Sequence, residues 1–390
     1  MKRIAVVTAT RAEYGLLAPV IKELRKQEDS GFRAELIVTG THLSKKYGMT
    51  VHEIENDGVR IDYQVPISVA SETELDISRN QAEVLVKFTE LFVKERFDAI
   101  VLLGDRYETL AVAIAAGNTR TPIFHLCGGD TTEGAIDEWI RHSITKMSYL
   151  HFVTNEDSRR RVIQMGEDPS RVFNYGSTSI DNVLQAADMT KKEALDSIGL
   201  PDCKYALCTY HPVTMEGESV DYQIGEFLEA IKAFPEIEFI VTKSNADQGG
   251  ARINKLLDEA ETSIENLHVY TSLGVRRYLS LMKSAEFVLG NSSSGIIEAP
   301  AFGVPTVNIG DRQRGRLQAK SIINCNSDFN SICIAITKAR ENAFVGNCRE
   351  SKGVYGLGNA SVKIANTIFD KLGKSKIDLM KAFYIVPVKN

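Results

Sequence analysis

Short apolar runs alternate with amphipathic stretches from the start of the chain. Ile4–Thr8 is an apolar run of strand length. Leu16–Lys26 follows, with Leu16, Leu17, Val20, Ile21 and Leu24 on one helical face. The same pattern predicts strands at Arg33–Thr39, Asp98–Leu103, Pro122–Cys127, His151–Thr154 and Val172–Tyr175. It predicts helices at Ser78–Glu95, Glu108–Asn118, Ile136–Ser148 and Ser158–Met165. Strand and helix in this alternation give a parallel sheet covered on both faces.

Leu184 to Lys204 is polar and helical, and Gly199-Leu-Pro-Asp202 interrupts it. The alternation then restarts. Strands are expected at Tyr205–Tyr210, Glu238–Thr242, His268–Tyr270, Phe287–Leu289 and Thr306–Ile309, with helices at Gly225–Ala233, Arg252–Ala260 and Val275–Ser284 between them. The predicted fold is α/β, with two Rossmann-like doubly wound domains at 1–182 and 203–365. A C-terminal segment, 366–390, continues the helical stretch Ala360–Leu372 and is expected to pack back on the first domain. Ligands of such sheets bind at the carboxyl ends of strands, here in a cleft between the domains.

The turns after these strands carry reactive residue types. They hold Arg11 in Thr8-Ala-Thr-Arg-Ala-Glu-Tyr-Gly15, His42 in Thr39-Gly-Thr-His42, and Asp105 and Arg106 in Gly104-Asp-Arg-Tyr-Glu108. Asp130, Glu133 and Asp137 follow the strand at 122–127, and Arg141-His142 lie just beyond. His211 and Asn245 follow two later strands. One such residue alone reads as a turn or a cap, since turns are polar in any case. Their recurrence at strand after strand points to one site. Carboxylates concentrate in the first half. Close carboxylates repel, so one can keep a proton near neutral pH and a single site can supply both acid and base.

The second half carries Gly290-Asn-Ser-Ser-Ser-Gly295. Asn291 to Ser294 are four helix-capping residues, and a helix N-terminus offers unpaired N–H groups that suit a phosphate. Gly290, Ser292 and Ser293 are candidate ligands there. Glu298 lies about one helical turn on, where a carboxylate reaches ribose hydroxyls. Arg312 in Gly310-Asp-Arg-Gln313 is a charge partner. An ordinary capped strand–helix joint has the same spacing, and the spacing alone leaves both readings open.

Bulk properties narrow the class. The 390 residues suit two or three domains, and 43% hydrophobic and 25% charged content is that of a globular protein. No apolar run is long enough to span a membrane. The first residues read as a strand and a turn, not a signal peptide, so the cytoplasm is the expected location. Six cysteines without a Cys-x-x-Cys pair read as reduced, mostly buried thiols, neither zinc ligands nor disulfides. A net charge of −5 disfavours nucleic acid.

At these turns the chain resembles the UDP-N-acetylglucosamine 2-epimerase family, most closely its hydrolysing branch, which makes sialic acid precursors. The matching motifs are Thr10-Arg-Ala-Glu-Tyr-Gly15, Gly104-Asp-Arg106, His125-x-x-Gly-Gly129, Gly134-Ala-Ile-Asp137, Ile140-Arg-His-Ser-Ile-Thr-Lys146, His211-Pro-Val-Thr214, Gly290-Asn-Ser-Ser293 and Gly310-Asp-Arg-Gln313. The resemblance implies a glycosyltransferase-B type fold. It implies a UDP-sugar substrate, no cofactor and no metal, and a homodimer or homotetramer. Asp105 and Asp137 match carboxylates assigned to proton chemistry, and His211 a histidine beside the diphosphate. Arg11, Ser292, Ser293, Glu298 and Arg312 match UDP ligands, with Arg106 and Asn245 on the sugar side. The implied reaction removes the C2 proton as UDP leaves C1, then adds water to the glycal, releasing N-acetylmannosamine.

Cys127 stands where several relatives carry glutamate. A thiol is a poor proton carrier at neutral pH. Asp130 or Glu133 is then expected to supply the carboxylate. Alternatively the chain acts on UDP-2,4-diacetamido-2,4,6-trideoxyglucose, as relatives on the route to legionaminic acid do.

Overall fold

The structure, a computed structural model, describes residues 1–69, 73–132, 136–211, 219–244, 250–350, 353–356, 358–374 and 377–387. The chain forms two compact units, Met1–Asp181 with Gly358–Asn390, and Asn182–Leu357.

The first unit holds a seven-stranded sheet in the order β3-β2-β1-β4-β5-β6-β7. Its strands are β1 (Lys2–Thr8), β2 (Phe32–Thr39), β3 (Tyr63–Val65), β4 (Ala99–Leu103), β5 (Ile123–Leu126), β6 (Leu150–Val153) and β7 (Val172–Asn174). The strand pairs are parallel. Alternate side chains of β1 enter opposite cores: Ile4 and Val6 on one face, Ala5 and Val7 on the other. Helix Arg11–Arg25 starts in a capping box, with Glu13 N donating to Thr10 Oγ1 and Thr10 N donating to Glu13 Oε2. The helix therefore begins five residues before the apolar stripe that announces it.

The second unit holds a six-stranded parallel sheet in the order β10-β9-β8-β11-β12-β13. Its strands are β8 (Tyr205–Thr209), β9 (Glu238–Thr242), β10 (Leu267–Tyr270), β11 (Phe287–Gly290), β12 (Thr306–Ile309) and β13 (Ile322–Cys325). Strand order reverses between β1 and β4 in one sheet and between β8 and β11 in the other. At such points adjacent connections run to opposite sides and leave a crevice at the carboxyl ends. Asp105 follows β4; His211 follows β8 and Asn291 follows β11.

The boundaries differ from the sequence expectation at both ends of the second domain. Residues 182–202 belong to that unit because Ala194 and Leu195 are buried against Tyr205 and Leu207. The helix Ala360–Lys374 belongs wholly to the first unit. Its Ile364, Ala365, Ile368 and Leu372 join the core beside β1 and β2. Asp181 accepts from the N–H groups of Ala360 and Ser361 at 3.0 and 2.7 Å, capping a helix distant in sequence. Strands β3 and β13 and the helices Phe329–Ala339 and Asn342–Cys348 were not anticipated. The six cysteines are free thiols, but only Cys208 and Cys348 are buried.

Gly290 ends β11 with φ +135°, and a Cβ there would lie 2.1 Å from the Thr209 carbonyl oxygen of β8. Neither obstacle can move, because both belong to paired backbone. Gly290→Ala is expected to cost about 3 kcal/mol or more, combining backbone strain with overpacking. Urea unfolding measures this; a loss under about 1 kcal/mol would show that the strands part easily.

Candidate active site

In the first unit the site is organised by Arg141, whose side chain is 4% exposed. It lies on the helix Asp137–Met147. Its Nη1 donates to the Asp130 carbonyl at 2.7 Å and to Glu138 Oε2 at 3.1 Å. Its Nη2 donates to Thr132 Oγ1 at 3.0 Å and to Asp105 Oδ2. One guanidinium thus ties the turn after β4, the turn after β5 and its own helix. Glu138 completes the arrangement. It accepts from Thr132 N at 2.6 Å and lies 3.2 Å from His142 Nε2. His142 Nδ1 is buried with no partner among the described residues. Asp137 opens the same helix and is half-buried. Glu138 escaped the sequence reading, although its spacing to Arg141 and His142, three and four residues, was a signal.

The turn after β5 is held from below. His125 is fully buried, and its Nε2 donates to the Gly104 carbonyl at 2.9 Å. Burial pushes this imidazole down to about 4, so it stays neutral with a fixed tautomer. Gly104 immediately precedes Asp105, so His125 sets where that carboxylate starts. Cys127 has φ +62°, a left-handed conformation costly for a residue with a Cβ. Its N–H is fixed on the Phe152 carbonyl at 2.9 Å. Asp130 Oδ1 accepts from the Thr154 and Ser158 hydroxyls, each at 2.6 Å. These bonds fasten the turn to β6 and the next helix.

His42 corrects the sequence expectation. It is fully buried, with Nε2 3.0 Å from Thr8 Oγ1 and Nδ1 2.8 Å from Thr50 Oγ1. Burial lowers it to about 4. It braces the turn after β1 and presents no surface to a substrate. Arg11 is about half exposed and 3.5 Å from Glu53, a pairing weak enough for a ligand to replace. Arg106 lies beside two buried carboxylates, Glu108 at 3.3 Å and Glu13. Burial pushes Glu13 up to about 7, against the pull of Arg106 and of the Ala9 and Thr10 N–H groups.

In the second unit the turn after β8 is locked to the turn after β11. His211 N donates to Asn291 Oδ1 at 2.7 Å, and Asn291 Nδ2 donates back to the His211 carbonyl at 2.8 Å. His211 Nδ1 lies 3.1 Å from Ser244 Oγ. The Asn291 carbonyl accepts from Arg312 Nη1 at 3.3 Å and Gln313 Nε2 at 2.8 Å, drawing the fourth turn in. Ser292 caps the helix Ser293–Ile297. Five residues make no appreciable macrodipole, so this turn offers hydroxyls and N–H groups. Glu298 retains some open surface, and its carboxylate has no hydrogen-bond or ion-pair partner among the described residues. Burial pushes it up to about 7.

Within the first unit the fold therefore joins Asp105, Asp130, Arg141 and His142 through one bonded network, with Asp137 on the same helix. Within the second it gathers His211, Gly290, Ser292, Ser293, Glu298 and Arg312 around adjoining turns. Glu133 and Asn245 lie outside the described residues, as do Pro212 to Thr214.

Known proteins share this architecture and sequence. The family model for UDP-N-acetylglucosamine 2-epimerases matches residues 22–369. The chain is 38% identical over 348 residues to the hydrolysing GDP/UDP-N,N'-diacetylbacillosamine 2-epimerase of Campylobacter jejuni, covering 89% of each chain. It is 37% identical to the polysialic acid biosynthesis protein P7 of Escherichia coli, covering 99% of this chain and 98% of that one. It is 34% identical to the hydrolysing UDP-N,N'-diacetylbacillosamine 2-epimerase of Legionella pneumophila, covering 93% and 94%. The crystal structure of the Neisseria meningitidis UDP-GlcNAc 2-epimerase bound to UDP-GlcNAc superposes with TM-score 0.82 at 22% identity, covering 95% of this chain and 100% of that one. The fold is thus two Rossmann-like domains of the glycosyltransferase-B type.

Glu298 makes a pH dependence measurable. Its carboxyl titrates near 4.5 when unfolded and about 7 when folded. Between these values the unfolded chain loses the proton first, so stability falls as pH rises from about 4.5 to about 7. Allowing for the open surface, the loss is about 2 kcal/mol. Glu298→Gln should match the parent at about pH 4 and exceed its stability by about 2 kcal/mol at about pH 8. Equal urea midpoints at both pH values would show that the carboxyl ionises freely.

Proposed function

Since the chain belongs to the UDP-N-acetylglucosamine 2-epimerase family, in its hydrolysing branch, we propose that it hydrolyses UDP-2,4-diacetamido-2,4,6-trideoxyglucose with inversion at C2. The observation that carries this reading is its 38% and 34% identity, over most of each chain, to two hydrolysing diacetylbacillosamine 2-epimerases. Cys127 supports it. A partly buried thiol stands where several relatives carry a carboxylate, and a 4-acetamido, 6-methyl sugar suits a less polar wall. A second reading, with UDP-N-acetylglucosamine as substrate, rests on the family description itself.

In this reading a base takes the C2 proton while the C1–O bond breaks, and its electron pair leaves with UDP. The product of this half is a glycal. Water then adds its oxygen to C1, and C2 receives a proton on the opposite face. The sum is UDP-sugar plus water giving UDP and the free 2-epimer, with no net redox change. Asp105 and Asp137 are the proton carriers. Arg141 gives Asp105 a fixed countercharge and position, and Asp105 takes the C2 proton. Asp130 has two hydroxyls on one carboxylate oxygen, so it holds the turn and does not replace the absent glutamate as a carrier.

His211, Ser292, Ser293 and Arg312 hold the diphosphate, which gathers negative charge as the C1–O bond breaks. Glu298 accepts the ribose hydroxyls; two O–H donors would satisfy a carboxylate that the described residues leave unpaired. The enzyme works in solution in the cytoplasm.

Product analysis by NMR with the diacetamido nucleotide and UDP-N-acetylglucosamine side by side tests the reading. Free 2-epimer and UDP should form from the first at least about tenfold faster, since a missing polar contact in a tailored pocket costs about that or more. Faster release from UDP-N-acetylglucosamine would establish the second reading. Intact UDP-sugar epimers as the only products would overturn hydrolysis. Asp137→Asn should lower turnover by about a hundredfold or more with UDP affinity within about twofold. Unchanged turnover would remove Asp137 from the chemistry.

A further inference from the structure

The hydroxyls behind Ser292 have a countable supply of hydrogens. Thr242 Oγ1 donates to the Cys208 carbonyl at 3.3 Å. Thr209 Oγ1, 2.6 Å from Thr242 Oγ1, must therefore be the donor in that pair. Ser294 Oγ donates to Ser292 Oγ at 3.1 Å. Tyr278 OH lies 2.7 Å from Ser294 Oγ and 3.4 Å from Thr209 Oγ1. Ser294 has spent its hydrogen, so the short contact is a bond from Tyr278 to Ser294. Ser292 Oγ also accepts from Ser294 N at 3.4 Å. Both of its lone pairs are taken, and its own hydrogen has no acceptor among the described residues.

We propose that Tyr278 is a positioning residue that, through Ser294, turns Ser292 into an outward hydrogen-bond donor for a diphosphate oxygen. This rests on the reading of the Ser292 turn as the diphosphate site. Tyr278 fills the Ser294 lone pair, so the Ser294 hydrogen goes to Ser292 and the Ser292 hydrogen is directed away. Without the phenol hydroxyl, Ser294 becomes an open acceptor, and Ser292 can turn its hydrogen inward onto it. A donor pre-aimed at an anion loses no orientation on binding. Burial also pushes Tyr278 up to about 12, so it remains a donor throughout the working pH range.

Calorimetric titration of UDP and of uridine into the full-length protein tests this. Ser292→Ala should weaken UDP by about 10- to 100-fold, the range for a hydrogen bond to a charged group, and leave uridine unchanged. Tyr278→Phe keeps the ring and should weaken UDP by about 3- to 10-fold, again sparing uridine. In the double variant the loss should equal that of Ser292→Ala alone, because the relay has no other output. Ser294→Ala should reproduce Tyr278→Phe and carries the test if the tyrosine variant folds poorly. Full UDP affinity in both relay variants, additive losses in the double variant, or equal losses for UDP and uridine would each overturn the relay. If Ser292→Ala itself binds UDP as the parent does, the diphosphate reading of this turn falls, and the relay with it.

Discussion

The guanidinium of Arg141 is almost sealed from water, so its donors must be met by the protein. That constraint shapes the first unit's carboxyl edge. The Asp130 carbonyl, Thr132, Glu138 and Asp105 come from three separate segments, and each is drawn to one planar cation. Removing any of them would leave a buried charge short of a partner. Asn291 imposes the same discipline on the second unit. Fully buried, it exchanges two hydrogen bonds with His211 and offers its carbonyl to Arg312 and Gln313. Each unit thus uses a single buried polar residue to hold several turns in register.

The sheets explain why these residues meet at all. In a parallel sheet all strands end on the same side, so the following turns crowd one edge. Reversal of strand order beside β1 and β8 opens that edge. The close approach of Gly290 to Thr209 lets the serine turn sit directly against the turn after β8. Backbone geometry, not side-chain reach, does most of the placing.

Two carboxyls carry an energetic cost within this frame. Glu13 and Glu298 are both raised to about 7 by burial. Glu13 recovers part of the cost through three hydrogen bonds, from Ala9, Thr10 and Thr109. Glu298 recovers none through a hydrogen bond from the described residues. A group stabilised by the fold needs no ligand, whereas one left short in a recess is satisfied only by a ligand with donors. That contrast separates a brace from a binding group more clearly than exposure does.

Amphipathic periods and polar turns revealed the alternation of strand and helix, and hence two doubly wound sheets, because burial on two faces dictates the residue pattern locally. They also marked the carboxyl-end turns, since reactive types there stand out against apolar strands. The Thr-x-x-Glu box at Thr10 and the spacing of Glu138 to Arg141 were signals in the sequence that its reading passed over. Other features had no local signature. His42 looks like any polar turn residue until β1 and the Thr50 segment enclose it. The helix Ala360–Lys374 is assigned to the first unit by Asp181, 179 and 180 residues away in sequence, and by the core it completes with still more distant strands. The hydroxyl order behind Ser292 depends on which oxygen has already given its hydrogen away. Sequence alone determined what is apolar, what is polar and in what period. Only tertiary structure decided which polar groups spend their hydrogen bonds inside the protein and which retain them for a ligand, because that depends on partners the chain brings together from afar.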